Sequence, residues 1–99
     1  MDNSIMIAGH VGSDITISIR AYLSSEGGLR LEGGDVGKRV NELLGDDDYE
    51  YCVDVPVSEF GRLLLLLLKE KYDGDLQAVS KFKALCESNG IAHDFFNWV

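Results

Sequence analysis

An α+β fold, with a mainly antiparallel sheet of three to four strands and helices packed on one face, is what this sequence predicts. Residues 14–23 alternate strictly, with Ile15, Ile17, Ile19, Ala21 and Leu23 interleaved by Asp14, Thr16, Ser18, Arg20 and Tyr22, which marks a strand with one apolar face. Residues 60–72, built around the six leucines 63–68, have the length of a helix, and only one strand-helix-strand alternation, between Leu31 and Tyr49, is offered. A doubly wound parallel sheet needs several such alternations.

The elements follow in order. Residues 4–11, rich in Ile and Met, meet the alternating strand through Gly12-Ser13, so a β-hairpin is expected. After the turn at residues 24–28, Leu29-Arg30-Leu31-Glu32 adds a short third strand that Gly33-Gly34 is expected to break. Asp35 is placed to N-cap a helix whose Val36, Val40, Leu43 and Leu44 fall at i, i+4, i+7 and i+8, with Gly45 as its stop. Residues 49–55 form a fourth strand, with Tyr49, Tyr51, Val53 and Val55 on one face and Glu50, Cys52 and Asp54 on the other. Pro56 ends it, Ser58 is the expected cap, and the following helix runs to Tyr72 with its leucines buried on most sides. A last helix carries Leu76, Val79, Phe82, Leu85 and Cys86 as its apolar stripe and closes at Asn89-Gly90. The aromatic tail, with Phe95, Phe96 and Trp98, is expected to dock as a short helical turn.

The 99 residues, 45% apolar and 26% charged, suit one domain with one core. Cys52 and Cys86 form no CxxC pair and read as buried free thiols. The N-terminal Met1-Asp2-Asn3-Ser4 lacks a basic, apolar leader, which points to the cytoplasm. The longest apolar run is the six leucines 63–68, far short of the roughly 20 residues a membrane span needs. With 17 acidic residues against 9 basic ones and a net charge of −8, the chain repels phosphate backbones and anionic lipid, so neither nucleic acid nor membrane is expected as a partner.

Familiar chemistry fails on spacing. Gly33-Gly34-Asp35-Val36-Gly37-Lys38-Arg39 follows a strand and opens a helix, but Glu32 stands where a phosphate-binding loop requires glycine and Arg39 where it requires Ser or Thr. Asp46-Asp47-Asp48-Tyr49-Glu50 begins like a calcium loop, yet Tyr51 replaces the loop glycine and Val57 the bidentate Glu. His10 and His93 belong to no HExxH, GxSxG or Cys-His pattern. No catalytic residue, metal site or cofactor is therefore assigned.

The informative feature is charge placement. Residues 40–61 hold seven acidic side chains, Glu42, Asp46, Asp47, Asp48, Glu50, Asp54 and Glu59, and no Lys or Arg. Such a surface steers a basic partner and repels acidic competitors. Asp46, Asp47, Asp48, Glu50 and Asp54 form the candidate electrostatic face, with Tyr49 and Tyr51 as candidate anchors; the rival reading turns both tyrosines to the core and leaves the carboxylates as solvated charge.

Residues 45–51, the leucine-rich helix behind them, and the ending Asn89-Gly90-Ile91 through Phe95-Phe96-Asn97-Trp98 resemble small acidic bacterial proteins without assigned activity. Some similar proteins are regarded as immunity partners of polymorphic toxins. The resemblance covers residues 29–99 and contains no catalytic motif; it implies a noncatalytic module that blocks a basic toxin by occlusion. Two alternatives stand beside it: a structural or regulatory domain that self-associates through a sheet edge or the aromatic tail, and a small enzyme of unfamiliar type in which Glu32, Asp54 or Glu59 meet in a pocket.

Overall fold

A computed structural model describes residues 3–45 and 48–98. They form a four-stranded antiparallel sheet and three helices, the expected α+β class. Strands β1 (Ser4–Val11), β2 (Thr16–Leu23), β3 (Leu29–Val36) and β4 (Asp48–Val55) lie in sequence order, with helix α1 (Lys38–Leu44) between β3 and β4. A 3-10 turn, Val57–Glu59, leads into α2 (Phe60–Tyr72), and α3 (Ala78–Ser88) follows. The chain divides into two compact units, residues 1–61 and 62–99, with the boundary inside the first turn of α2.

In the first unit, directly paired residues share a sheet face. Ile17 pairs with Asp35, Ile19 with Gly33, Ala21 with Leu31 and Leu23 with Leu29; on the other side of β3, Tyr49, Tyr51, Val53 and Val55 complete that face. The opposite face carries Ser18, Arg20, Tyr22, Arg30, Glu32, Glu50, Cys52 and Asp54. The period-two pattern thus yields one apolar and one charged face, and Val40 of α1 is buried in this unit at 4% exposure.

Several local expectations are corrected. The first hairpin uses residues 12–15, closed by the Gly12 N–H donating to the Ile15 C=O at 2.9 Å, so β2 begins at Thr16 and not at Asp14. Gly33-Gly34 does not break β3, which runs on to Val36. The reason lies across the ladder: a Cβ at Gly33 would stand 2.3 Å from the Tyr51 ring carbons, so the ring itself occupies the space a side chain would fill and covers the bare backbone. Asp35 consequently belongs to β3, and its carboxylate accepts a hydrogen bond from the Tyr51 hydroxyl at 3.1 Å instead of capping a helix.

Helix α1 instead starts after Gly37, whose φ of 138° lies in the region that favours glycine and whose added Cβ would meet the Asp14 carbonyl oxygen at 2.6 Å. That same carbonyl accepts the Arg39 N–H at 3.0 Å, satisfying one open donor of the helix start. Gly45 ends α1 as expected, its N–H donating to Asn41 at 2.8 Å. Ser58 lies within the 3-10 turn and caps nothing, because the chain begins to coil directly after Pro56.

In the second unit, Leu64, Leu65, Leu66 and Leu67 are exposed, against the expectation of a helix buried on most sides. At 3.6 residues per turn consecutive leucines point all round the axis, so no single neighbour can cover them all. Tyr72 and Phe82 meet edge to face, with ring centroids 6.5 Å apart. Leu76 falls outside α3 and is exposed, because the Asp75 carboxylate accepts the Gln77 N–H at 2.9 Å and holds a turn before the helix begins.

Cys86 is buried at 4% exposure, whereas Cys52 is exposed on the charged face because even positions of β4 point there. The tail forms no helical turn: residues 91–98 lack regular structure, and Phe95, Phe96 and Trp98 are exposed. One isolated turn fixes many dihedrals for little hydrogen bonding, and the segment is tied instead by the Ile91 N–H to the Cys86 C=O at 2.9 Å and by Lys83 over the Phe95 ring.

Candidate functional site

The candidate site centres on β4, an edge strand of the sheet. Asp48 pairs with Val36, Glu50 with Gly34, Cys52 with Glu32 and Asp54 with Arg30, so Asp48, Glu50 and Asp54 project from one face. Tyr49 and Tyr51 project from the other, with ring centroids 5.3 Å apart. The strand therefore gathers three of the predicted carboxylates and separates them from both predicted anchors. Asp46 and Asp47 lie outside the described residues.

On the charged face the register brings Arg30 against Asp54, and the guanidinium grips the carboxylate through Nε and NH2 at 2.5 and 2.9 Å. The third guanidinium nitrogen, Nη1, donates to the Tyr22 hydroxyl at 3.4 Å, which donates to Glu32 at 3.4 Å. This chain of donors gives Glu32 and Asp54, two of the three carboxylates of the small-enzyme alternative, fixed partners on the same face. The Arg30 hydrogen bond is the largest influence on Asp54 and, helped by the guanidinium charge, holds it below the usual carboxylate range against the opposing cost of lost water; Arg30 is correspondingly held protonated.

Counting the face by register, Glu32, Asp48, Glu50 and Asp54 stand against Arg20 and Arg30, an excess of two negative charges. Arg20, Arg30, Glu32, Glu50 and Cys52 line a shallow concavity there. Sequence reading missed both arginines as members of this face, since their placement depends on the β2-β3-β4 register. Their even positions within the alternating segments were the signal available.

Comparison with known proteins returns nothing. No family model matches the chain, and no curated protein or solved structure is significantly similar to it. Among the described residues, no three His, Cys, Asp or Glu side chains converge as a metal site, and no helix is long and apolar enough to cross a membrane.

The tyrosines have structural partners. Partial loss of water, followed by the hydrogen bond to Asp35, raises the Tyr51 phenol above its ordinary value, so the group stays a donor at neutral pH. Tyr51 thereby satisfies the one carboxylate that β3 places on the apolar face. Tyr49 and Val53 are exposed beside it, and because β4 is an edge, a partner approaching along the strand meets the acidic row on one side and these apolar groups on the other.

Proposed function

We propose that the chain is a noncatalytic protein-binding module that presents β4 and the acidic residues preceding it in sequence to a basic protein surface, in the manner of an immunity protein occluding a basic toxin. The observation that carries this reading is the alignment of Asp48, Glu50 and Asp54 on one face of an edge strand, within a stretch of seven acidic residues and no basic one. Long-range attraction between opposite surfaces raises encounter rates and selects against acidic competitors. Arg30 offsets the charge of Asp54, so Glu50 contributes more to that field than Asp54 does.

Affinity capture from the source cells tests the reading, with three baits: the native chain, a variant with Asp46, Asp47 and Asp48 changed to Asn, and a control in which Glu70, Asp73 and Asp94 are neutralised. A basic protein retained by the native and control baits and lost from the β4 variant supports the proposal. Equal retention by all three removes the acidic strand from the binding surface.

A further inference from the structure

We propose that the aromatic tail, residues 91–98, is a strap latched to α3 through His93 in its protonated form, which holds more firmly below neutral pH and loosens above it. Two residues one helical turn apart on α3 and two from the tail build the latch. Lys83 pairs with Glu87 at i, i+4, and its ammonium also stands over the Phe95 ring, 5.6 Å from the centroid. Glu87 turns the same oxygen, Oε1, toward His93 Nε2 at 3.9 Å.

The two ring nitrogens decide which protonation state fits. Nδ1 lies 2.7 Å from the Ile91 carbonyl oxygen, and a carbonyl only accepts, so Nδ1 carries a hydrogen. In the neutral imidazole Nε2 is then a bare lone pair, and it faces a carboxylate with no proton to share. Only the imidazolium has a donor for each of the two acceptors, and it adds a charge opposite to that of Glu87. Lys83 first, with smaller help from His93, holds Glu87 below the usual carboxylate range. The acceptor is therefore charged throughout the interval, about pH 5 to 8, in which imidazoles change charge. Among the described residues, Glu87 and Lys83 are the charged groups that α3 sets against the ring, and Asp94 follows it in the tail.

Apolar burial does not fasten the end of the strap, since residues 91–98 lack regular structure and Phe96 and Trp98 stand 70% and 86% exposed. The Ile91 N–H to Cys86 C=O bond at 2.9 Å marks where the tail leaves α3, and His93 and Phe95 are the attachments beyond it. The His93 and Glu87 side chains are 28% and 51% exposed, so water screens the pair, and protonation is expected to shift attachment by about twofold to fivefold. All of these residues lie in the second unit and none on the β4 face, so the device is independent of the proposed binding function.

Hydrogen exchange of the Ile91 amide and fluorescence anisotropy of Trp98, the one tryptophan, test the proposal on the native chain and on Glu87→Gln, His93→Gln and His10→Asn. After correction for the intrinsic pH dependence of exchange, the native Ile91 amide should be about twofold to fivefold better protected at about pH 5.5 than at about pH 8. Trp98 should likewise tumble less freely at the lower pH. Glu87→Gln and His93→Gln should each abolish both differences, while His10→Asn leaves them in place. Should Glu87→Gln disturb α3, the two histidine variants decide between them. A native tail that behaves alike at both pH values overturns the proposal, as does a pH response that survives His93→Gln, persists in a Glu87→Gln chain with α3 intact, or disappears with His10→Asn.

Discussion

Replacing Gly33 by alanine probes how β3 survives its glycine pair. The added Cβ would sit 2.3 Å from two Tyr51 ring carbons and 2.6 Å from the hydroxyl oxygen, where carbon contacts settle near ~3.5 Å. The ring must therefore retreat by about 1.2 Å, and it leaves the 3.1 Å contact with Asp35 as it goes. Forcing an extra methyl into a filled site costs about 1–3 kcal/mol, while relieving glycine's entropic penalty in a strand returns roughly 0.5–1 kcal/mol. The net destabilisation spans about 0–2.5 kcal/mol, and its midpoint of about 1.2 kcal/mol corresponds to a Tm lower by roughly 5–10 °C in a domain of this size. In a Tyr51→Ala background the obstacle is gone, and Gly33→Ala becomes neutral or stabilising. Thermal unfolding, with hydrogen exchange at the β3 and β4 amides to localise the effect in this unit, measures the cycle. An equal penalty with and without the Tyr51 ring refutes the claim that the ring replaces a side chain over Gly33.

Other perturbations have definite signs. Gly37→Ala drives a Cβ against the Asp14 carbonyl, a backbone atom that no rotamer change can move away; with φ at 138° the cost is about 1–3 kcal/mol, read by denaturant unfolding. Asp54, Asp75 and Glu87 are held below the usual carboxylate range, first by hydrogen bonds from Arg30, Lys81 and Lys83 respectively. Their stabilisation is therefore complete above the unfolded value near ~4 and declines as pH falls through the lower folded values; Arg30→Met should return the Asp54 titration, followed by carbon NMR, toward the ordinary range. The Tyr51 phenol is shifted upward, so its contribution holds below an ordinary value near ~10 and fades as pH rises through the folded one. In an ultraviolet titration, Asp35→Asn should bring that late tyrosine ionisation forward.

Much of the sheet was legible because a half-buried strand writes its faces into alternate positions. Residues 14–23 and 49–55 announced which side chains lie together, including the separation of Tyr49 and Tyr51 from Glu50 and Asp54. The end of β3 was not legible, since Gly33 and Gly34 carry no side-chain pattern and the feature that sustains them is a ring on another strand. The Arg30–Asp54 clamp was hidden for the same reason: it exists only once the β3-β4 register sets those residues opposite one another. Asp35 had two available hydrogen-bonding roles, a helix cap or a strand acceptor, and the distant Tyr51 hydroxyl decided between them. Helix α2 had legible limits, while the exposure of its leucines depends on which neighbours stand around it.

The most direct test of the binding account is the association rate of the basic protein retained by the native bait, measured against ionic strength for the native chain and for the variant with Asp46, Asp47 and Asp48 changed to Asn. At low salt the native chain should associate about tenfold faster or more, an advantage that vanishes as the screening length shrinks to about 3 Å near 1 M salt. Equal rates at low salt, with an equal dependence on ionic strength, would contradict the assignment of β4 and the acidic residues preceding it as the steering surface.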